Sequence, residues 1–524
     1  MCGIAVAIDW PEAKSLVAHL MEGIRQRGDI SDPVGEPARS VAMGTRRLRI
    51  VDREHAVQPQ QSFDGRLWLS FNGEIYNYRA LRTELEGMGV PFKTDSDTEV
   101  LVNALRVWGP AALSRLSGMY AFVAYEPDTG QFIAARDPFG IKPLYVMQNG
   151  HAFLFCSEIR PLLETVEAGD VYTLPPGHVL TQKVCVPFKS MLQEVTEPWH
   201  DNDAAALDKL LAGAVSRHIP EDLPFAIMFS GGIDSTLVAH YARQVRPEAP
   251  GYFVGGHESI DYPFAAAYAE TTGFDLRIIP FDPMGDDTFN ALGEAVLAAE
   301  SFEPALVRGA VCSMKVSQAI QKDGFRVALC GEGADELFCG YTPLEKAFSQ
   351  NESYGRAMRE DILGLMNRIS LQRVDRCSMH HSLETRVPFL DPELANYARG
   401  LSANDLVRSV NGTYVGKAAL RDLFDLYPKD LPRLIRDRSK ILFSEGAGLR
   451  AKADEFAWDE RFEDAISDMD FVDGIKRFAG FSVHSKEELY YLQLLADKMD
   501  VFRVPQLRSR PAITARPPAE AQSA

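Results

Sequence analysis

Three short stretches of the sequence hold side chains with chemistry beyond packing. The first is Met1-Cys2-Gly3-Ile4. Removal of Met1, which the small residue behind it suits, puts a thiol and a free α-amine on one residue; such groups titrate near about 8.5 and about 7.7 to 8. At neutral pH they exchange a proton without a separate histidine, so Cys2 is a nucleophile that carries its own base. The second stretch is Ser230-Gly231-Gly232-Ile233-Asp234-Ser235, between an apolar run and a helical pattern. Its glycines permit a sharp turn and close approach to a ligand, while the Ser230 and Ser235 hydroxyls and the N–H groups opening the helix face phosphate oxygens. Asp234 repels phosphate unless a divalent cation bridges the two, so the stretch reads as a site for ATP with Mg²⁺. It is not a Walker loop: the nearest approach to one, from Gly412 to Lys417, has the wrong spacing and lacks the hydroxyl. The third stretch, Cys330-Gly331-Glu332-Gly333-Ala334-Asp335-Glu336-Leu337-Phe338, sets three carboxylates within five positions after an apolar run, where burial is expected.

The elements around these stretches divide the chain in two. Residues 3–8, 67–72, 121–125, 132–136 and 152–156 are β-rich runs separated by Asp, Asn, Gly and Pro, and residues 13–25 and 98–108 carry apolar side chains at helical spacing. Ser96, Asp97 and Thr98 are capping candidates for the second helix. After about residue 190 the pattern changes. A polar passage from 196 to 203 leads to a helix over 204–217, and the short apolar strands 225–229, 251–254, 276–280 and 326–329 alternate with helices, as in a parallel sheet. Residues 345–507 are expected to be almost all helix. The expected fold is an α+β N-terminal domain of stacked antiparallel sheets flanked by helices over 1–190, and an α/β domain with a parallel sheet and a helical C-terminal part over 200–507. The Pro/Ala/Ser-rich tail, 508–524, is expected to be disordered.

With 524 residues the chain is too long for one core, and its net charge of −18 argues against nucleic-acid or anionic-membrane partners. Any phosphate-bearing substrate therefore needs local cations or N–H groups. Seven cysteines in an odd, scattered set, without paired spacing, fit a reducing cytoplasm better than disulfides or zinc. No apolar run has the length of a membrane-spanning helix, and Asp9, Glu12 and Lys14 interrupt any signal-peptide core.

The second stretch matches the pyrophosphate loop of enzymes that split ATP into AMP and pyrophosphate, and Cys2 matches the nucleophile of class II glutamine amidotransferases. Asn72-Gly73-Glu74-Ile75-Tyr76-Asn77 makes the match specific. The Asn72 side chain and the Gly73 N–H are donors suited to the oxyanion formed when a thiolate attacks a carboxamide. In this order the motifs resemble the glutamine-hydrolysing asparagine synthetases and their relatives over almost everything except the tail. Gln26-Arg27-Gly28-Asp29-Ile30 departs from the family's usual His-Arg-Gly-Pro-Asp loop, and Cys330 stands where serine is usual.

The resemblance implies an N-terminal-nucleophile glutaminase followed by a pyrophosphate-loop synthetase. It assigns Arg47 to the glutamine α-carboxylate and Glu74 and Asp97 to its α-ammonium. It places Phe229 and Val254 around adenine, joins Cys330 and Gly331 to the ATP loop of Ser230, Gly231, Gly232, Asp234 and Ser235, sets Asp335 beside Asp234 on Mg²⁺, gives Lys440 to the leaving pyrophosphate, and makes Glu332 the base when ammonia attacks. The segment 384–391, with Glu300 and Arg308, is expected to line the acceptor side. The implied reaction uses glutamine and ATP to amidate a carboxylate through an acyl-adenylate. Aspartate is the leading acceptor; another carboxylate of specialised metabolism is the alternative, and a non-catalytic regulatory or binding homologue is a third reading, opposed by the intact Cys2, Asn72, Asp234, Asp335 and Lys440. Assembly as a homodimer stays open.

Overall fold

The computed structural model describes residues 2–193, 199–452, 455–456, 458–509 and 512–517. Met1, residues 194–198, which include the start of the polar passage, and 510–511 and 518–524 of the tail lie outside the described residues.

The N-terminal half is built on alternation. Strand β1 (Cys2–Ile8) sends Ile4, Val6 and Ile8 into the space between two antiparallel sheets and the small Ala5 and Ala7 towards helix α1 (Ala13–Gly23). Each large aliphatic residue so buried contributes about 1.5–3 kcal/mol. Strand β2 (Val41–Arg47) pairs antiparallel with β1, Cys2 opposite Arg47. Gly44 on β2 lets α1 lie close, since a Cβ there would stand 2.8 Å from Val17 Cγ1. The second sheet is centred on β3 (Trp68–Ile75), β4 (Gly118–Glu126) and β5 (Gln131–Arg136). Helix α2 (Asp97–Trp108) covers its outer face; the Ser96 hydroxyl accepts the Glu99 N–H and caps the helix, which leaves the Asp97 side chain available to the site. Strands β6 (Tyr145–Asn149) and β7 (Ala152–Cys156) complete the centre of the first sheet, β7 beside β1. The segment after β5 is scaffold: Asp137 accepts the N–H groups of Phe139, Ile141 and Lys142 and is buried beneath its own turn.

The C-terminal half opens with helix α3 (Ala204–His218). Strand β8 (Phe225–Met228) leads to helix α4 (Ile233–Val245), followed by β9 (Gly251–Val254), β10 (Leu276–Ile279), helix α5 (Pro304–Lys322) and β11 (Val327–Leu329). Helices α6 (Glu352–Leu365) and α7 (Ser370–Met379) precede a further strand, β12 (Glu384–Arg386), which adds to the edge of the sheet. The order is β10-β9-β8-β11-β12 and every pairing is parallel. The order reverses between β8 and β11, so the loops 230–235 and 330–335 flank the crevice where doubly wound sheets bind ligands.

Two features depart from the sequence reading. The region 345–507 is mostly helical but contains a hairpin of β13 (Val407–Val410) and β14 (Thr413–Gly416), turned at Asn411 and Gly412 with φ of 52° and 81°. An Asn-Gly pair with both residues left-handed is the preferred two-residue hairpin turn, a local signal that the helical periodicity obscured. Within the tail, expected to be disordered, the described residues 512–517 include two that bond the domain: the Thr514 hydroxyl and Ala515 N–H donate to Asp361 of α6. Upstream of it, Arg503 donates to the carbonyls of Leu163, Val166 and Gly169, fastening the C-terminal segment to the N-terminal half.

Candidate active sites

Cys2, Arg47, Gly73, Glu74 and Asp97 line one cavity. Alternation along β1 turns the Cys2 side chain towards the second sheet, and the Cys2 N–H donates to Asn72 Oδ1 at 3.0 Å. The other end of that amide, Asn72 Nδ2, is buried with no hydrogen-bond partner among the described residues. A buried donor left unsatisfied is costly unless something transient uses it, and an oxyanion formed beside the thiol would. Gly73 has no alternative: a Cβ would run into the Met119 carbonyl oxygen. Burial pushes the Cys2 thiol up to about 11, so the resting sulfur is neutral and attack requires a base.

Arg47 is oriented by Asp32, which sequence reasoning missed; Nε donates to one carboxylate oxygen at 2.8 Å and Nη2 to the other at 3.2 Å. Gln58 is a second omission, its amide 4.0 Å from the Cys2 sulfur. Asp97 accepts the Ile75 N–H at 3.0 Å, and Glu74 accepts from Arg386 of β12 at 2.9 Å. Burial is the main reason that Glu74 is pushed up to about 8 and Asp97 to about 6. Arg386 opposes the shift at Glu74, and the Ile75 N–H opposes it at Asp97.

A second cavity, of about 210 Å³, lies at the crevice between β8 and β11. Phe229, Ser230, Asp234, Ser235, Cys330, Gly331, Glu332, Asp335 and Lys440 line it. The Ser235 hydroxyl reaches Ser230 Oγ at 3.2 Å and ties the loop across its own turn. Gly232 lines an adjoining smaller cavity with Asp234 and Lys440. Gly231 has φ 69° and faces the backbone of Ala265, 2.5 Å from where a Cβ would stand; it contributes a turn rather than a wall. Val254 is buried in β9 and is not part of the lining, where Tyr252 stands instead.

Lys417, missed by sequence reasoning, lines the adjoining smaller cavity beside Asp234. The hairpin delivers it, and its N–H donates to the Phe338 carbonyl at 2.9 Å. Its ammonium lies 2.7 and 2.5 Å from the two oxygens of Asp234 and 2.6 Å from Asp335, whose other oxygen is 2.6 Å from Lys440. Two ammoniums, buried Lys417 and solvent-accessible Lys440, thus balance two buried carboxylates. Burial raises Asp234 and Lys417 opposes it; at Asp335 burial is outweighed by Lys417 and Lys440, which hold the carboxyl below its ordinary range. Among the described residues no cluster of three or more His, Cys, Asp or Glu holds a metal alone. Two carboxylates converging on one cation are nonetheless what Mg²⁺ takes when substrate phosphates supply its other ligands, so the residues fit that ion.

The acceptor side departs from expectation. Glu300 turns away from the large cavity, accepting the N–H groups of Ile159 and Arg160 and pairing with buried Arg376. Arg308 pairs with Glu487, Nε to oxygen 2.8 Å. The segment 384–391 contributes β12 and lines neither cavity; its Arg386 side chain reaches Glu74 of the glutaminase cavity. The crevice instead receives Arg373 of α7, which donates to Glu332 at 2.7 Å and to Ser313 at 2.8 Å. Gly309 on α5 makes room for it, since a Cβ there would stand 2.7 Å from Arg373 Cδ. Leu48 and Ile50, which line the glutaminase cavity, and Cys330, which lines the crevice, belong to one apolar cluster with Met119, Leu329 and Val387.

Comparison with known proteins agrees with this geometry. Residues 1–195 match a glutamine amidotransferase domain family, and residues 206–368 and 343–500 match the asparagine synthase family. A Schizosaccharomyces pombe protein named as a probable glutamine-hydrolysing asparagine synthetase is 29% identical, covering 94% of this chain and 93% of its own length. Glutamine-hydrolysing asparagine synthetase 2 of Arabidopsis thaliana is 28% identical, with 94% and 86% covered. Asparagine synthetase B of Escherichia coli K12 is 27% identical, with 86% and 82% covered. With a thiol cavity in one half, a phosphate-loop crevice in the other and both families matched in that order, the chain belongs to the asparagine synthase family of glutamine-dependent ligases.

Proposed function

We propose that the protein makes asparagine from aspartate, with glutamine as nitrogen donor and ATP split to AMP and pyrophosphate, in a reducing cytoplasm. The observation that carries the reading is Arg373 in the crevice, held beside Glu332: a guanidinium to receive the acceptor carboxylate that does not react, next to the carboxylate that takes the proton.

In the glutaminase cavity Cys2 sulfur attacks the glutamine carboxamide as its proton passes to the Cys2 α-amine. Asn72 Nδ2 and the Gly73 N–H stabilise the oxyanion, ammonia leaves, and water hydrolyses the thioester to glutamate. Arg47 holds the α-carboxylate, and Glu74 with Asp97 the α-ammonium. In the crevice the acceptor carboxylate attacks the α-phosphorus of ATP while the Ser230–Ser235 loop orients the phosphates and Lys417 and Lys440 neutralise the departing pyrophosphate. A Mg²⁺ held by Asp234, Asp335 and the phosphates would supply further charge neutralisation. Ammonia reaches the acyl-adenylate past the apolar cluster, which keeps it from water and protonation. It attacks the acyl carbon, Glu332 takes a proton, and AMP leaves.

The test of the acceptor is pyrophosphate release across a panel of carboxylic acids with glutamine, ATP and Mg²⁺. Aspartate is expected to give the fastest release; release with another acid and none with aspartate would retain amidation and exclude asparagine synthesis. A second expectation concerns pH. An ammonium is held only by ionised carboxylates, and Glu74 and Asp97 are raised to about 8 and about 6. The dissociation constant for glutamine, measured on Cys2→Ala protein, should therefore fall as pH rises from about 6 to about 8, because deprotonation completes the site. A flat or opposite profile would remove these two residues from the ammonium site.

A further inference from the structure

Arg386 bridges the two cavities. The residue is 2% exposed and its guanidinium divides three ways: Nη2 donates to Glu74 at 2.9 Å, Nε to Glu384 at 2.6 Å and Nη1 to the His218 carbonyl at 3.0 Å. Its backbone carbonyl accepts the N–H of Cys330 at 3.0 Å, at the start of the loop that carries Glu332 and Asp335. In the pairing of β11 with β12, Leu329 lies opposite Arg386. One residue is thus bonded through its side chain to the glutaminase cavity and through its backbone to the ATP-side loop. A guanidinium is a rigid planar fork, so Nη2 cannot follow Glu74 without turning the other two bonds. The strand it sits on is three residues long and lies at the sheet edge, paired on one side only, where the least backbone resists a shift.

We propose that Arg386 is a positioning residue that couples occupancy of the glutamine cavity to the loop 330–335, a proposal that rests on Glu74 receiving the glutamine ammonium. An ammonium arriving beside Glu74 shares that carboxylate with the guanidinium. The fork turns towards Glu384, and β12 carries the displacement to the Cys330 N–H. Coupling of this kind is reciprocal: the factor by which glutamine changes ATP affinity is the factor by which ATP changes glutamine affinity.

The test uses Cys2→Ala protein, which lacks the nucleophile that consumes glutamine. ATP binding is titrated calorimetrically with and without saturating glutamine, then glutamine with and without saturating ATP. Glutamine is expected to shift the ATP dissociation constant at least about fivefold, with the same factor in the reverse direction. Adding Arg386→Lys, which keeps the charge and loses the fork, should bring the factor below about twofold while both ligands still bind. Should that variant fail to fold, Glu74→Asp, which shortens the carboxylate away from the guanidinium, should reduce the factor in the same way. Equal affinities with and without the second ligand in the Cys2→Ala parent, or a factor undiminished in the substituted protein, overturns the coupling. Failure of glutamine to bind the Cys2→Ala parent at all overturns the glutaminase reading itself, and the coupling with it.

Discussion

Replacing Cys2 by alanine is expected to lower glutamine-dependent asparagine formation by about 10⁶-fold, the scale on which loss of a catalytic nucleophile is felt, while ammonium salts still support pyrophosphate release. The asymmetry follows from where the residue sits. Cys2 lies on β1 between the antiparallel sheets, and none of the residues lining the ATP crevice belongs to that strand. The substitution removes a buried sulfur and leaves Asn72, Gly73, Arg47, Glu74 and Asp97 in place, so glutamine should still bind. Simultaneous loss of the ammonia-dependent reaction in a folded protein would contradict two separate sites. Because the proposed base is the α-amine of Cys2 itself, intact-mass measurement of active protein is expected to show Met1 removed.

The second large effect is expected at Lys417. Its ammonium is buried between Asp234 and Asp335, and Lys417→Met leaves two buried carboxylates with Lys440 as their remaining close cation. Breaking a buried ion pair by removing one partner costs about 3–5 kcal/mol, so the melting midpoint should fall and synthetase activity should be lost while glutaminase activity persists. The variant also distinguishes how the two carboxylates are used. With the competing ammonium gone, Mg²⁺ added without ATP should raise the melting midpoint of Lys417→Met more than that of the parent. An unchanged melting midpoint with an unchanged synthetase rate would show that Lys417 neither balances Asp234 nor neutralises pyrophosphate.

The division between what the sequence foretold and what it concealed has a physical basis. The β-rich run 3–8 and the strand-loop-helix pattern around Ser230 are local signals, and β1, β8 and α4 form where those patterns place them. The Asn72–Glu74 and Ser230–Ser235 strings bring their own geometry, because neighbouring backbone atoms do much of the positioning. Asp32, Arg373 and Lys417 act on partners 15, 41 and 183 positions away. Nothing in their immediate neighbours marks them, although the Asn411-Gly412 turn signals a hairpin that ends one residue before Lys417. Glu300 and Arg308 show the converse: motif position suggested the acceptor side, but buried charges take the nearest opposite charge, and Arg376 and Glu487 provide it. The family resemblance puts 384–391 on the acceptor side; its three-residue strand is short enough to escape periodicity and instead ties the sheet to Glu74.

The central claim is that nitrogen released at Cys2 reaches an adenylate formed at the Ser230 loop without mixing with solvent. The most direct measurement supplies amide-¹⁵N glutamine, aspartate, ATP and Mg²⁺ in the presence of unlabelled ammonium, and follows asparagine by mass together with pyrophosphate. Asparagine carrying ¹⁵N in one-to-one proportion with pyrophosphate is the expected result. Asparagine carrying mostly unlabelled nitrogen, or labelled ammonia accumulating while no asparagine forms, would contradict it.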